Sequence, residues 1–124
     1  MKLPINELTE KQLDYTIQTI LHNTYRHRNL FYWEIPSNVL HLIKEYKMDV
    51  RYITLLKRYG DDITKGNWLA TRHTESSGYL TYHVNQATSP EIAVIRCIIS
   101  SILGDEIEIP DKLINQEHYN IKKT

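Results

Sequence analysis

In residues 9–22, TEKQLDYTIQTILH, Leu13, Ile17, Ile20 and Leu21 fall at i, i+4, i+7 and i+8, which makes one apolar stripe along a helix. Thr9 stands where an N-cap belongs, and Gln12 three residues on completes a capping-box pattern. Leu8 and Leu13 hold the two hydrophobic-staple positions. A second, shorter helix is expected after Pro36, capped by Ser37 and burying Val39, Leu42, Ile43 and Tyr46. From Met48 the period changes to two. The runs DVRYITLL, NWLATRH and YLTYHV alternate in strand fashion, and the turn-rich stretches KRYGDDITKG and TESSG separate them. Three such runs predict an antiparallel meander. Trp68, Ala70 and Arg72 share one face of the middle strand and Leu69, Thr71 and His73 the other, and the pattern leaves open which face is buried.

Residues 88–113, TSPEIAVIRCIISSILGDEIEIPDKL, open with a third helix start: Ser89 as cap, Pro90 at the first helical position, and Glu91 facing the positive end of the dipole. Gly104 ends the helix, EIEI reads as a short strand, and the polar residues 111–124 are expected to be loosely held. On a wheel, Ile92, Val94, Ile95, Ile98, Ile99, Ile102 and Leu103 form one broad apolar arc. Ala93, Arg96, Cys97, Ser100 and Ser101 form the other, and Arg96 is its only long side chain. That arc either lies toward solvent with Arg96 loosely paired, or seats another backbone or a ligand close to an arginine fork suited to phosphate or carboxylate. The element order predicts one α+β domain over residues 1–124, an antiparallel sheet of three to four strands with helices laid on it.

The chain has 124 residues, 15 basic and 15 acidic, so no bulk field draws it to nucleic acid or a membrane. One cysteine, Cys97, allows no internal disulfide and points to a reducing compartment. No apolar run approaches the roughly 20 residues of a membrane helix, and the first residues carry no apolar leader, so a cytoplasmic protein is expected. The six histidines show no metal spacing, and no nucleophile elbow, Walker A loop or paired acids are visible, so neither catalysis nor a metal or cofactor is expected.

Binding is better supported. Nine tyrosines and two tryptophans accompany one phenylalanine, so most rings carry a polar handle. The segment YRHRNLFYW interleaves Arg26 and Arg28 with Tyr25, Tyr32 and Trp33, rings that stack on bases beside cations that take phosphate. Trp33 either serves this way or anchors the loop to the sheet. Trp68 is a third stacking candidate, and Arg51 and Arg72 are further cations on strands.

The block 88–113 resembles the ending of small phage proteins of the NinX type, the phage ABA-sandwich proteins. Ser89, Pro90, Ala93, Arg96, Ser101, Leu103, Gly104, Asp105, Glu106, Glu108 and Pro110 carry the likeness. LTEKQLDYTI near the start and NWLA in mid-chain resemble that family more loosely, while WEIPSNVLHLIKEY departs from it. In size, helix order and the arginine of the last helix, the chain also resembles phage Thoeris anti-defence proteins that hold cyclic ADP-ribose-type or cyclic oligonucleotide signals uncleaved. The resemblance implies a homo-oligomeric, non-enzymatic sponge in the host cytoplasm, with Arg96 on phosphate and Trp33, Tyr32 and Trp68 on the base. Arg26, Arg28, Arg51 and Arg72 would assist. The alternative is a phage accessory protein that binds and inhibits a host protein.

Overall fold

Thr9 and Gln12 do close the start of the first helix. The Thr9 hydroxyl accepts from the Gln12 amide at 3.2 Å, and the Gln12 side chain accepts from the Thr9 amide at 2.9 Å. The two bonds satisfy amides that otherwise have no helical partner. A computed structural model of the chain describes residues 1–22, 30–54 and 67–114. Within them the chain runs as β1 (Lys2–Pro4), α1 (Glu10–Ile20), α2 (Pro36–Glu45), β2 (Asp49–Ile53), β3 (Asn67–Ser76), β4 (Tyr79–Ala87), α3 (Pro90–Leu103) and β5 (Glu106–Glu108). Short 3-10 turns occupy Ile5–Glu7 and Tyr32–Glu34.

The fold is α+β. β2, β3 and β4 form an antiparallel sheet in that order, and β1 pairs with β5 in a separate two-stranded ribbon, Leu3 opposite Ile107. β1 was not anticipated, because three residues are too few to show a period. α2 begins one residue before the expected cap: Ile35 is the cap and Pro36 the first helical residue, the position where its missing N–H costs nothing. Ser37 therefore lies inside the first turn. Residues 111–114 make one further helical turn, and the remainder of the expected loose tail lies outside the described residues.

α3 is the middle layer. One side of it lies on β3 and β4, and α1 and α2 rest on its other side. A helix sandwiched this way must be apolar or small nearly all round, and Ala93, Val94, Ile95, Cys97, Ile98, Ile99 and Ser100 are all buried. Of the two expectations for the small arc, the solvent-facing one fails and the close approach of another backbone holds, while the apolar arc is not buried along its whole length. The small row is inside, while Ile102 and Leu103, at the last turn, are exposed. On β3 the buried face is that of Ala70 and Arg72, so Leu69, Thr71 and His73 belong to the outer face.

Candidate functional site

The small row of α3 is the seat of the sheet. The Cys97 thiol donates to the His83 carbonyl at 3.2 Å, and the Ser100 hydroxyl donates to Asn85 Oδ1 at 2.8 Å, so both residues touch β4. Side chains this short let a helix and a sheet approach closely. Burial pushes the Cys97 thiol up to about 11, although Arg72 nearby works in the opposite direction.

Arg96 follows from the same packing. From its half-buried position it reaches the edge of the sheet, where Nη1 donates to the Gln86 carbonyl at 2.9 Å. Its Nε is buried and has no partner, and burial lowers the guanidinium pKa. The group thus caps a backbone acceptor, and Arg96 lines neither of the two clefts described below. Arg96→Met keeps the stem's packing and removes the unpaired Nε, while water replaces the bond at the exposed edge. The variant is expected to unfold within about 1 kcal/mol of the parent in urea. A loss well above that would show the guanidinium to be a stronger structural element than a single edge cap.

Three of the other candidates serve packing or local pairing. Trp33 is only 7% exposed and stacks on Phe31 with ring centroids 5.0 Å apart, so it anchors its segment to the core. Trp68 meets Tyr52 edge-on at 5.3 Å. Arg51 is exposed on the outer sheet face and pairs with Asp49, which raises its pKa. Arg26 and Arg28 lie outside the described residues.

Tyr32 and Arg72 remain: Tyr32 lines a cleft, and Arg72 lies over the ring of a second residue that lines it. A cleft of about 700 Å³ opens between the end of α1, the Tyr32–Glu34 turn and α2, lined by His22, Tyr32, Asn38, His41, Glu45 and Tyr46. The turn is held there by two bonds: the Tyr32 amide donates to Asp14 at 2.8 Å, and Asn38 Nδ2 donates to the Tyr32 carbonyl at 2.9 Å. Burial raises the Tyr32 hydroxyl pKa, and the neighbouring Tyr46 hydroxyl adds to the rise. Arg72 lies over the Tyr46 ring at 4.6 Å and also donates to the Ser101 hydroxyl. The cleft therefore offers two phenol rings, two imidazoles, an amide and the Glu45 carboxylate, with a cation over one ring.

Tyr46, His41 and Asn38 were not among the expected ligands. Asn38, His41 and Glu45 lie three and four residues apart on α2, a spacing that in sequence reads as an ordinary solvated face. Only the turn packed beside α2 turns that face into a cleft wall.

A second hollow, about 680 Å³, has an apolar floor that includes Trp33, Val39, Ile43 and Ile92, and Glu10, Glu34 and Glu91 surround it. Among the described residues no group of three or more His, Cys, Asp or Glu side chains is placed to hold a metal ion. No described helix is long and apolar enough to cross a membrane. The chain matches no family model and no curated protein.

Proposed function

We propose that the protein holds a nucleotide-derived ligand in the cleft between α1 and α2 without cleaving it. Read with the resemblance of residues 88–113 to small phage proteins, this makes it an anti-defence sponge acting in the host cytoplasm on a cyclic ADP-ribose-type or cyclic oligonucleotide signal. The observation that carries the reading is the meeting of Tyr32 and Tyr46 in one cleft, with Arg72 over the Tyr46 ring. Rings of this kind stack on a base, and His41 and Asn38 can hydrogen-bond to its edge, to a ribose or to a phosphate oxygen. Arg96 plays no part at this site.

To test this, the protein is incubated with the candidate nucleotides, desalted and heat-denatured, and the released material is identified by mass. Intact nucleotide is expected. Tyr46→Leu should reduce the amount retained by about tenfold, since one stacked base is worth roughly 1–3 kcal/mol. Arg96→Met should retain as much as the parent. Recovery of no nucleotide, or of cleaved product only, overturns the reading.

A second reading draws on the apolar hollow. Its three carboxylates and greasy floor suit a basic amphipathic segment of a host protein, which the chain would then inhibit. In that case a lysate pull-down retains one host protein in stoichiometric amount, and Glu34→Lys with Glu91→Lys releases it.

A further inference from the structure

We propose that two copies of this chain join through the open edge of β4, antiparallel about a two-fold axis at Tyr82. The proposal stands independently of what the cleft holds.

In the sheet order β2, β3, β4, the last strand has no neighbour on its second side among the described residues. The direction of its backbone groups follows from the hairpin. Ser76 pairs with Tyr79 across a two-residue loop, Ser77 and Gly78, in which both φ angles are positive, at 53° and 82°. That is the type I′ arrangement, whose closing residues exchange both hydrogen bonds. Alternation then turns the N–H and C=O of Tyr79, Thr81, His83, Asn85 and Ala87 toward β3. Those of Leu80, Tyr82, Val84 and Gln86 turn toward the open side. Arg96 bonds to the Gln86 carbonyl, an acceptor this alternation leaves free.

Leu80, Tyr82 and Val84 thus present three donors and three acceptors in a row, a row that water solvates in a single copy and that another extended strand can pair in full. Their side chains lie together on the outer face and are 51%, 63% and 51% exposed. Natural edges are normally guarded by a lysine, a proline or an inward-turned charge. Residues 79–87, YLTYHVNQA, contain no proline and no Asp, Glu, Lys or Arg.

The strand is also complementary to itself. With the axis at Tyr82, that residue faces its own copy, and Leu80 faces the second copy's Val84, so three pairs each exchange two bonds and every neighbour across the junction on the outer face is apolar or aromatic; on the inner face Thr81 meets the second copy's His83. A slip that brought Gln86 into the ladder would meet the Arg96 guanidinium on its carbonyl. Arg96 therefore limits the junction at the Gln86 end and disfavours slips in that direction. A strand without charge has nothing to repel its copy and nothing to select an ionic partner, so the second copy is the best-matched occupant.

The test compares the parent chain with Tyr82→Lys by sedimentation at about 100 µM, well above a micromolar dissociation constant. Hydrogen exchange is followed on both. Tyr82 is exposed and its ring lies tilted against His73 with centroids 6.1 Å apart, so the variant is expected to keep the parent's circular dichroism and melting profile. The parent should sediment as a dimer, with the amides of Leu80, Tyr82 and Val84 protected. Two facing ammonium groups should make Tyr82→Lys a monomer in which those three amides exchange about a hundredfold faster. A monomeric parent, a dimer in which the three amides are unprotected, or a dimer that survives Tyr82→Lys would each overturn the proposal.

Discussion

Ile98→Ala is expected to lower the unfolding free energy by about 2–5 kcal/mol, the range for an isoleucine truncated in a core that cannot collapse around the gap. Ile98 is fully buried at the middle of α3, the helix that touches β3, β4, α1, α2 and β5. With layers on both sides, neither can move in without opening the contact on the other. For a chain of this size the loss corresponds to a melting point roughly 10–20 °C lower. Thermal unfolding followed by circular dichroism measures it, and Ile102→Ala supplies the contrast. Ile102 shares the apolar arc in sequence but is exposed at the last turn, so its truncation should change stability by no more than about 0.5 kcal/mol. Equal losses at the two positions would mean that α3 is not the central layer.

How much was legible depended on whether the determining contact was local. The starts of α1 and α3 were readable because a capping box and a Ser-Pro-Glu start act within four residues. The meander was readable from its alternation and its Ser-Gly turn. The burial of α3 was not, since a wheel separates greasy from small positions and cannot show that both sides will be covered. A row of alanine, cysteine and serine has the same pattern whether it meets solvent, a ligand or the chain's own sheet. The role of Arg96 was hidden for a similar reason, because its partner is the Gln86 carbonyl, and backbone groups leave no trace in side-chain pattern. Of the ligand candidates, Tyr32 reaches the cleft and Arg72 stands behind it. Tyr46, 26 positions before Arg72, was assigned only to the core, and it is in fact half-buried between core and cleft.

The small row itself gives the second large effect. Ser100 is buried and its hydroxyl is shared between Asn85 of β4 and the Cys97 carbonyl, so Ser100→Ala removes that shared hydrogen bond and leaves the space unchanged, at a cost of about 1 kcal/mol. Ser100→Leu removes the same bond and forces added carbon atoms between α3 and the sheet. Overpacking of that kind costs about 1–3 kcal/mol beyond the lost bond, so a total of roughly 2–4 kcal/mol is expected. Urea unfolding of the two variants separates the terms, because the hydrogen bond is common to both and the excess in Ser100→Leu is the steric part. Were the row a seat for a ligand or another subunit, Ser100→Leu would abolish that binding and leave unfolding close to that of Ser100→Ala. The short distances from Cys97 and Ser100 to β4 argue for the steep loss: the sheet already fills the space that the small side chains leave.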